Sequence, residues 1–319
     1  MRRSQGRGRR PARGLRNVES SARPPARGLR TVGSGARPPA RRPGPEREGE
    51  AEKTRPLRRR SELASRVLIA IPAIALALFL VISGGLIFTV GLFLIGLLCL
   101  HELFTMYERV HPVRLAGVIG LAAMLLTAQY GERSQLLLVA VAMLPVVFGL
   151  SLLLRSPNAL GLAVTLLGLW WIGFGFAHAI LLRAEPHGLG VVIDVLLGTF
   201  IGDTGAYFGG RLFGSRPLAP SISPNKTVEG LLIGALAAVG AVWIASTYES
   251  WMPAAHALVL GAGVAVLGPA GDLFESFLKR EAGAKDAGRA FGAHGGALDR
   301  LDAVLFTVVV GYYIWAAYV

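Results

Sequence analysis

The sequence predicts an all-α polytopic membrane protein of about nine transmembrane helices, with a cytoplasmic N-terminus and a disordered basic tail. Three observations carry this reading. Of 319 residues, 53% are hydrophobic and only 17% charged, with a mean hydropathy of +0.52, whereas a soluble domain carries about a quarter charged residues. The charge is unevenly placed: residues 1–60 hold 19 Lys/Arg against 5 Asp/Glu, and the remaining 259 hold 14 against 15. Finally, apolar runs approaching the ~20 residues that cross a bilayer recur from Arg66 onward, separated by short polar breaks. The net charge of +13 therefore describes the tail, and it is no nucleic-acid signature of the body. The one cysteine, Cys99, excludes an intramolecular disulfide and a cysteine-based metal site.

The tail, residues 1–61, is rich in Arg, Pro, Gly, Ala and Ser. Pro-Ala-Arg-Gly-Leu-Arg at 11–16 recurs at 25–30, and Pro39-Ala40-Arg41 opens a third, degraded copy. No apolar face accompanies the repeat, so the segment is expected to be disordered. Its basic region is too long for a cleavable signal peptide. No aromatic residue interleaves its arginines to stack on bases, so no nucleic acid is expected. Its expected partner is anionic inner-leaflet lipid.

Spans are expected near 66–82, 85–104, 113–130, 135–154, 158–182, 189–211, 228–248, 255–277 and 302–319. Helices are the reading of such runs because lipid leaves no backbone polar group a partner outside its own segment. With the tail inside, the inner side receives Arg66, Arg109, Arg114, Arg155, Arg211, Arg216, Lys226, Lys279, Arg280, Lys285, Arg289 and Arg300. The outer side receives only Arg133 and Arg183, an asymmetry that supports both the count and the direction. Residues 62–185 form the N-terminal set of helices. Residues 186–319 form the region expected to carry the chemistry, with cytoplasmic loops near 211–227 and 278–301.

Those two loops hold most of the body's clustered ionisable residues. Asp272 and Glu275 lie three apart on an apolar helix, hence on one face. Carboxylates at membrane depth are costly and normally face a polar cavity or a cation. Lys279-Arg280, Lys285-Asp286, His294-Gly295-Gly296 and Asp299-Arg300-Leu301-Asp302 follow, with Asp299 and Asp302 again three apart. Two acidic pairs flanking a basic, Gly-rich loop suit a divalent-metal phosphate site, in which oxygen ligands hold the ion and cations hold the phosphates. Gly283, Gly288, Gly292, Gly295 and Gly296 are expected to let backbone N–H groups approach a polyphosphate. A second cluster, Ser223-Pro224-Asn225-Lys226-Thr227-Val228-Glu229-Gly230, enters a helix, where hydroxyls, a lysine and free N–H groups favour an anion. Ser223 or Thr227 serve equally well as N-caps, and Glu229 as a first-turn acid. Asp203-Thr204 and Tyr207 precede that cluster; Asp194 has no motif around it.

The 27 residues from Ser276 to Asp302 resemble the signature of the phosphatidate cytidylyltransferases, also called CDP-diacylglycerol synthases. Ser223 through Gly230 resembles that family's second box, and Asp203 through Gly210 the helix before it. The resemblance is strongest over 200–303, and the tail lies outside it. The chain departs from the pattern at Gly292-Ala293 (usually Pro-Gly), Asn225 (commonly Lys) and Ala303 (commonly Ser). The resemblance implies a multi-pass enzyme of the inner membrane, its site facing the cytoplasm, that joins CTP to phosphatidic acid with release of pyrophosphate. It implies Mg²⁺, with a second cation left open, and a homodimer as one option. The lipid phosphate is largely ionised near neutral pH, its second pKa being about 6, so no strong base is required. Asp272 and Asp299 are the expected primary metal ligands, with Asp286 and Asp302 in support. Lys226, Lys279, Arg280, Lys285 and Arg300 are expected at the CTP phosphates and the lipid head group, and Ser223 and Thr227 as donors to a phosphate. His294 is expected either at the pyrophosphate or as a structural part of the turn. A CTP-dependent lipid kinase would use similar charges. A transporter would distribute its polar residues across the membrane, whereas these cluster on one side.

Overall fold

The computed structural model describes residues 71–155, 157–288 and 295–319. The tail and His294 lie outside these, and so does Arg289. Among the described residues, the regular structure is helical apart from one hairpin. Helices run α1 Ile71–Ser83, α2 Gly85–Met106, α3 Arg114–Tyr130, α4 Arg133–Leu153 and α5 Ala159–Gly168. A single π-helical stretch, Leu169–Gly173, joins α5 to α6, Phe174–Ala184. Then come α7 Gly188–Phe213, α8 Val228–Ser246, α9 Ala254–Glu281 and α10 Leu298–Ala316. Six of the helical stretches are long and apolar enough to cross a membrane by length and composition: α2, α4, the joined α5–α6, α7, α8 and α9. Large apolar side chains such as Leu138, Leu153 and Leu236 face outward, the arrangement of a multi-pass membrane protein whose solvent is lipid.

Helices packing in lipid gain no hydrophobic drive from leaving water, so close contact depends on small residues at the interface. The α7–α8 pair is built this way. A Cβ on Gly205 would lie 2.6 Å from the Ala237 methyl, and one on Gly234 would lie 2.7 Å from both the Ala206 methyl and the Gly202 carbonyl. Gly240, on the same helix α8, has open space instead. Gly234→Leu is therefore expected to part the two helices and destabilise the fold by about 1–3 kcal/mol. Gly240→Leu is the neutral comparison, and thermal unfolding of the two variants in detergent checks the difference.

Polar contacts between helix ends form two groups. At one end Arg183 Nε donates to the Val81 carbonyl (2.7 Å), Arg133 pairs with Glu185 (2.6 Å) and Trp315 Nε1 donates to the Pro186 carbonyl (2.8 Å). Asp194 belongs with this end; it is buried, and its Oδ2 has no hydrogen-bond partner. At the other end Tyr107 Oη donates to the Leu278 carbonyl (3.0 Å), and Asn158 Nδ2 donates to that of Val110 (3.0 Å). The charged motifs gather at this second end.

The helices follow the expected spans within a few residues. The connection near 211–227 differs, because it is not a plain loop. It folds as an antiparallel hairpin of β1 Pro217–Ala219 and β2 Ser223–Thr227, with Pro217 opposite Thr227 and Ala219 opposite Ser223. Its strands carry neither apolar alternation nor a primed-turn dipeptide, so no strand pattern was visible in the sequence.

Candidate active site

Helix α9 is the spine of the site. It starts after Pro253, which stands at the N-cap with extended backbone, and ends in a Schellman turn. Gly283 adopts φ +70°, its N–H donates to the Arg280 carbonyl, and the Ala284 N–H donates to that of Lys279 (2.8 Å). Gly283 thus stops the helix, rather than approaching a polyphosphate as the sequence suggested. Asp272, Glu275, Ser276, Lys279 and Arg280 occupy the last turns of α9.

The hairpin folds against this part of α9. Lys226, on β2, pairs with Asp272 (2.5 Å), and Arg280 Nε donates to the Ile222 carbonyl in the hairpin turn (3.2 Å). Thr227 is the N-cap of α8, its Oγ1 accepting from the Gly230 N–H (3.1 Å). Ser223 lies four residues earlier on the strand and is half-buried. Glu229 fastens the base of the hairpin. Its carboxylate accepts from the Ser215 N–H and Oγ (both 3.0 Å), the Arg216 N–H (3.2 Å) and Arg216 Nε (2.9 Å). Glu229→Ala is expected to loosen β1 and β2 and to speed amide exchange across 215–227. The hold on Lys226 should weaken with it, and exchange mass spectrometry measures the change.

A second ion-pair chain joins α9 to α10. Lys279 Nζ lies 2.6 Å from Glu275 Oε2 and 2.7 Å from Asp299 Oδ1. Asp299 also accepts from the Gly296 N–H (2.7 Å) and the Ala287 N–H (3.1 Å). Lys279, expected at the phosphates, is thus held between two carboxylates. The Gly296 N–H, expected to face a polyphosphate, donates to Asp299. Lys285 and Asp286 are exposed on the connection just before Ala287, and Arg300 is exposed on the first turn of α10. Asp302 is buried, and its Oδ1 accepts from the Ala303 N–H (2.8 Å).

The site therefore carries a strip of carboxylates across three helices. Asp203 on α7 lies close enough to Asp272 and Lys226 to feel both charges. Asp302 feels Asp272 and Glu275 in the same way. Among the described residues, no three His, Cys, Asp or Glu side chains converge as a metal cage. The donor set nonetheless suits a hard divalent cation, being all oxygen. Like charges face one another across the strip, and the buried Glu275 Oε1 has no hydrogen-bond partner. Magnesium typically takes one or two carboxylates and completes its shell with water and substrate phosphate, so the residues present fit it.

Two contributors escaped the sequence reading. Asp203 was seen but given no role, and only the fold brings it to Asp272. Glu102 on α2 was overlooked, although a carboxylate inside the apolar run Leu97–Leu103 was a visible signal. It is buried, and it accepts from the Ala297 N–H (3.0 Å) and the Leu298 N–H (2.9 Å) at the start of α10.

Comparisons with known proteins identify the family. The sequence profile of the "Cytidylyltransferase family" matches residues 64–318. A Bacillus subtilis protein named phosphatidate cytidylyltransferase is 34% identical over 268 residues, covering 81% of this chain and 99% of its own length. Proteins of the same name from Staphylococcus epidermidis and Brucella suis are each 33% identical. They cover 76% and 81% of this chain respectively, and 95% of their own lengths. The match takes in every helix from α1 to α10 along with the charged end of the bundle, and the chain belongs to the cytidylyltransferase family.

Proposed function

We propose that the protein is a phosphatidate cytidylyltransferase that converts CTP and phosphatidic acid to CDP-diacylglycerol and pyrophosphate. The observation that carries this reading is the pairing of lysines with carboxylates at one end of an apolar bundle, Lys226 with Asp272 and Lys279 with Asp299, in a chain whose relatives bear that name. The reaction must bring two polyanions together. A phosphate oxygen of the lipid attacks the α-phosphorus of CTP, and the bond to the bridging oxygen of the β-phosphate breaks to release pyrophosphate. The nucleophile is already ionised, so positioning and charge compensation remain to be supplied.

Lys226 sits on a hairpin that Glu229 and Arg280 tether, so its ammonium can turn from Asp272 to an arriving phosphate without leaving the site. Lys279 orients Asp299. Arg280, Lys285 and Arg300 border the same end and would hold triphosphate and head-group oxygens, with Ser223 and Thr227 donating from the hairpin. Asp272 and Asp299 would hold Mg²⁺, with Asp302 and Asp286 in support. Bound there, the ion would neutralise charge building on the phosphates and align them in line.

In the same reading the joined α5–α6 counts as one crossing. Together with the shorter α1 and α3 and the charged α10, this gives nine crossings with the N-terminus inside. The two groups of helix-end contacts support this alternation, and the excess of basic residues at the charged end supports a site at the cytoplasmic face of the inner membrane. The tail would lie on anionic lipid, and a homodimer is compatible with the sequence. Purified protein with phosphatidic acid, CTP and Mg²⁺ should yield one pyrophosphate per CDP-diacylglycerol by mass spectrometry, and chelation should stop both. Release of CDP instead would indicate phosphoryl transfer and a kinase.

A further inference from the structure

We propose that Glu102 is a positioning residue for the transfer site: its carboxylate holds the start of α10, and with it Asp299 and Arg300, in register with α9. The proposal rests on the cytidylyltransferase reading above. A helix leaves its first N–H groups without internal partners, and a Ser, Thr, Asp or Asn at the N-cap normally satisfies one of them. Helix α10 begins after Ala297, which has no side-chain oxygen to offer. The task falls to a residue 195 positions earlier, with one oxygen of Glu102 taking the Ala297 N–H and the other taking that of Leu298.

The surrounding backbone is shaped to admit this carboxylate. A Cβ on Gly288 or on Gly296 would collide with the Glu102 side chain. Glycine at both positions thus leaves room for the carboxylate beside the start of α10. Its neighbour in sequence, the Gly296 N–H, goes to Asp299, whose other oxygen meets Lys279. A continuous run of charge-assisted contacts thus leads from Glu102 through the start of α10 to the Lys279–Asp299 pair. A buried carboxylate on an apolar helix is expensive, and a local cap would have satisfied α10 at far less expense. What a local cap would not do is tie the N-terminal helices to the reacting end.

The test compares Glu102→Ala, Glu102→Gln and a control, His101→Gln, at the exposed neighbouring position. Each is assayed in mixed micelles with phosphatidic acid, CTP and Mg²⁺, beside thermal unfolding and amide exchange of residues 297–300. Groups that orient the residues acting on a substrate or metal typically account for 10- to 100-fold in activity. Glu102→Ala is expected to lower kcat by roughly that factor, with KM for phosphatidic acid little changed and exchange at Ala297 and Leu298 accelerated. Glu102→Gln keeps one acceptor oxygen and should recover part of the loss, and His101→Gln should match wild type. Wild-type kcat in Glu102→Ala, unchanged exchange at Ala297 and Leu298, or losses in both Glu102 variants that merely track their unfolding temperatures would each overturn the proposal. If the wild-type protein transfers no cytidylyl group, the function reading fails. The exchange data then decide separately whether Glu102 holds α10.

Discussion

Asp299→Asn is expected to abolish cytidylyl transfer while leaving the protein folded. The loss should be on the order of 10³-fold, the upper range for deleting one preorganised electrostatic contact. The carboxylate accepts from Lys279 Nζ and from two backbone N–H groups, those of Ala287 and Gly296. Each of these three partners is a donor. Asparagine matches the shape but turns one oxygen into an NH₂ group, which must face one of those donors. It also removes the charge that Mg²⁺ and Lys279 share in the proposed site. Label transfer from CTP, read beside the unfolding temperature, checks the prediction. Activity within tenfold of wild type would show that Asp299 is a structural cap and nothing more.

The second large effect is expected from Lys279→Met. Lys279 is 15% exposed, and its partners Glu275 and Asp299 are 1% and 13% exposed. Deleting the cation leaves two carboxylates facing each other with little water, and breaking a buried pair from one side typically costs about 3–5 kcal/mol. Adding Glu275→Gln removes one of the stranded charges. The double variant should therefore regain much of the lost stability. It should not regain activity, because Asp299 still lacks its ammonium. Thermal unfolding and turnover of the single and double variants separate the two contributions. A double variant no more stable than Lys279→Met would mean that Lys279 is valued for its packing rather than its charge.

Much of the bundle was legible because lipid makes a simple demand: an apolar run of sufficient length must be a helix, and polar breaks must be its ends. The i, i+3 acids were legible for a similarly local reason, since helix geometry fixes their face. Their partners were not. Asp272 pairs with Lys226, 46 positions away, while Glu275 pairs with Lys279 on its own helix, and nothing local distinguishes these outcomes. The hairpin was hidden because its strands are short and held from outside by Glu229, Asp272 and Arg280. Glu102 was hidden because its partners are backbone N–H groups, which every sequence position offers alike.

The glycines illustrate a subtler difference. In sequence they suggested N–H groups open to phosphate. In the fold Gly283 ends α9, Gly288 and Gly296 make room for Glu102, and Gly295 lies at φ +83° where a Cβ would crowd Asp299. The smallness of Gly288, Gly295 and Gly296 serves carboxylates already present in the protein.

The most direct test of the central claim follows the two ends of the triphosphate separately. Purified protein in mixed micelles with phosphatidic acid and Mg²⁺ is given CTP labelled at either the α- or the γ-phosphorus. The account predicts that α-label enters the lipid, that γ-label leaves as pyrophosphate, and that both events stop with chelator and in Asp299→Asn. Entry of γ-label into lipid would contradict it and make the protein a CTP-dependent lipid kinase. Transfer of neither label would exclude phosphatidic acid as the acceptor.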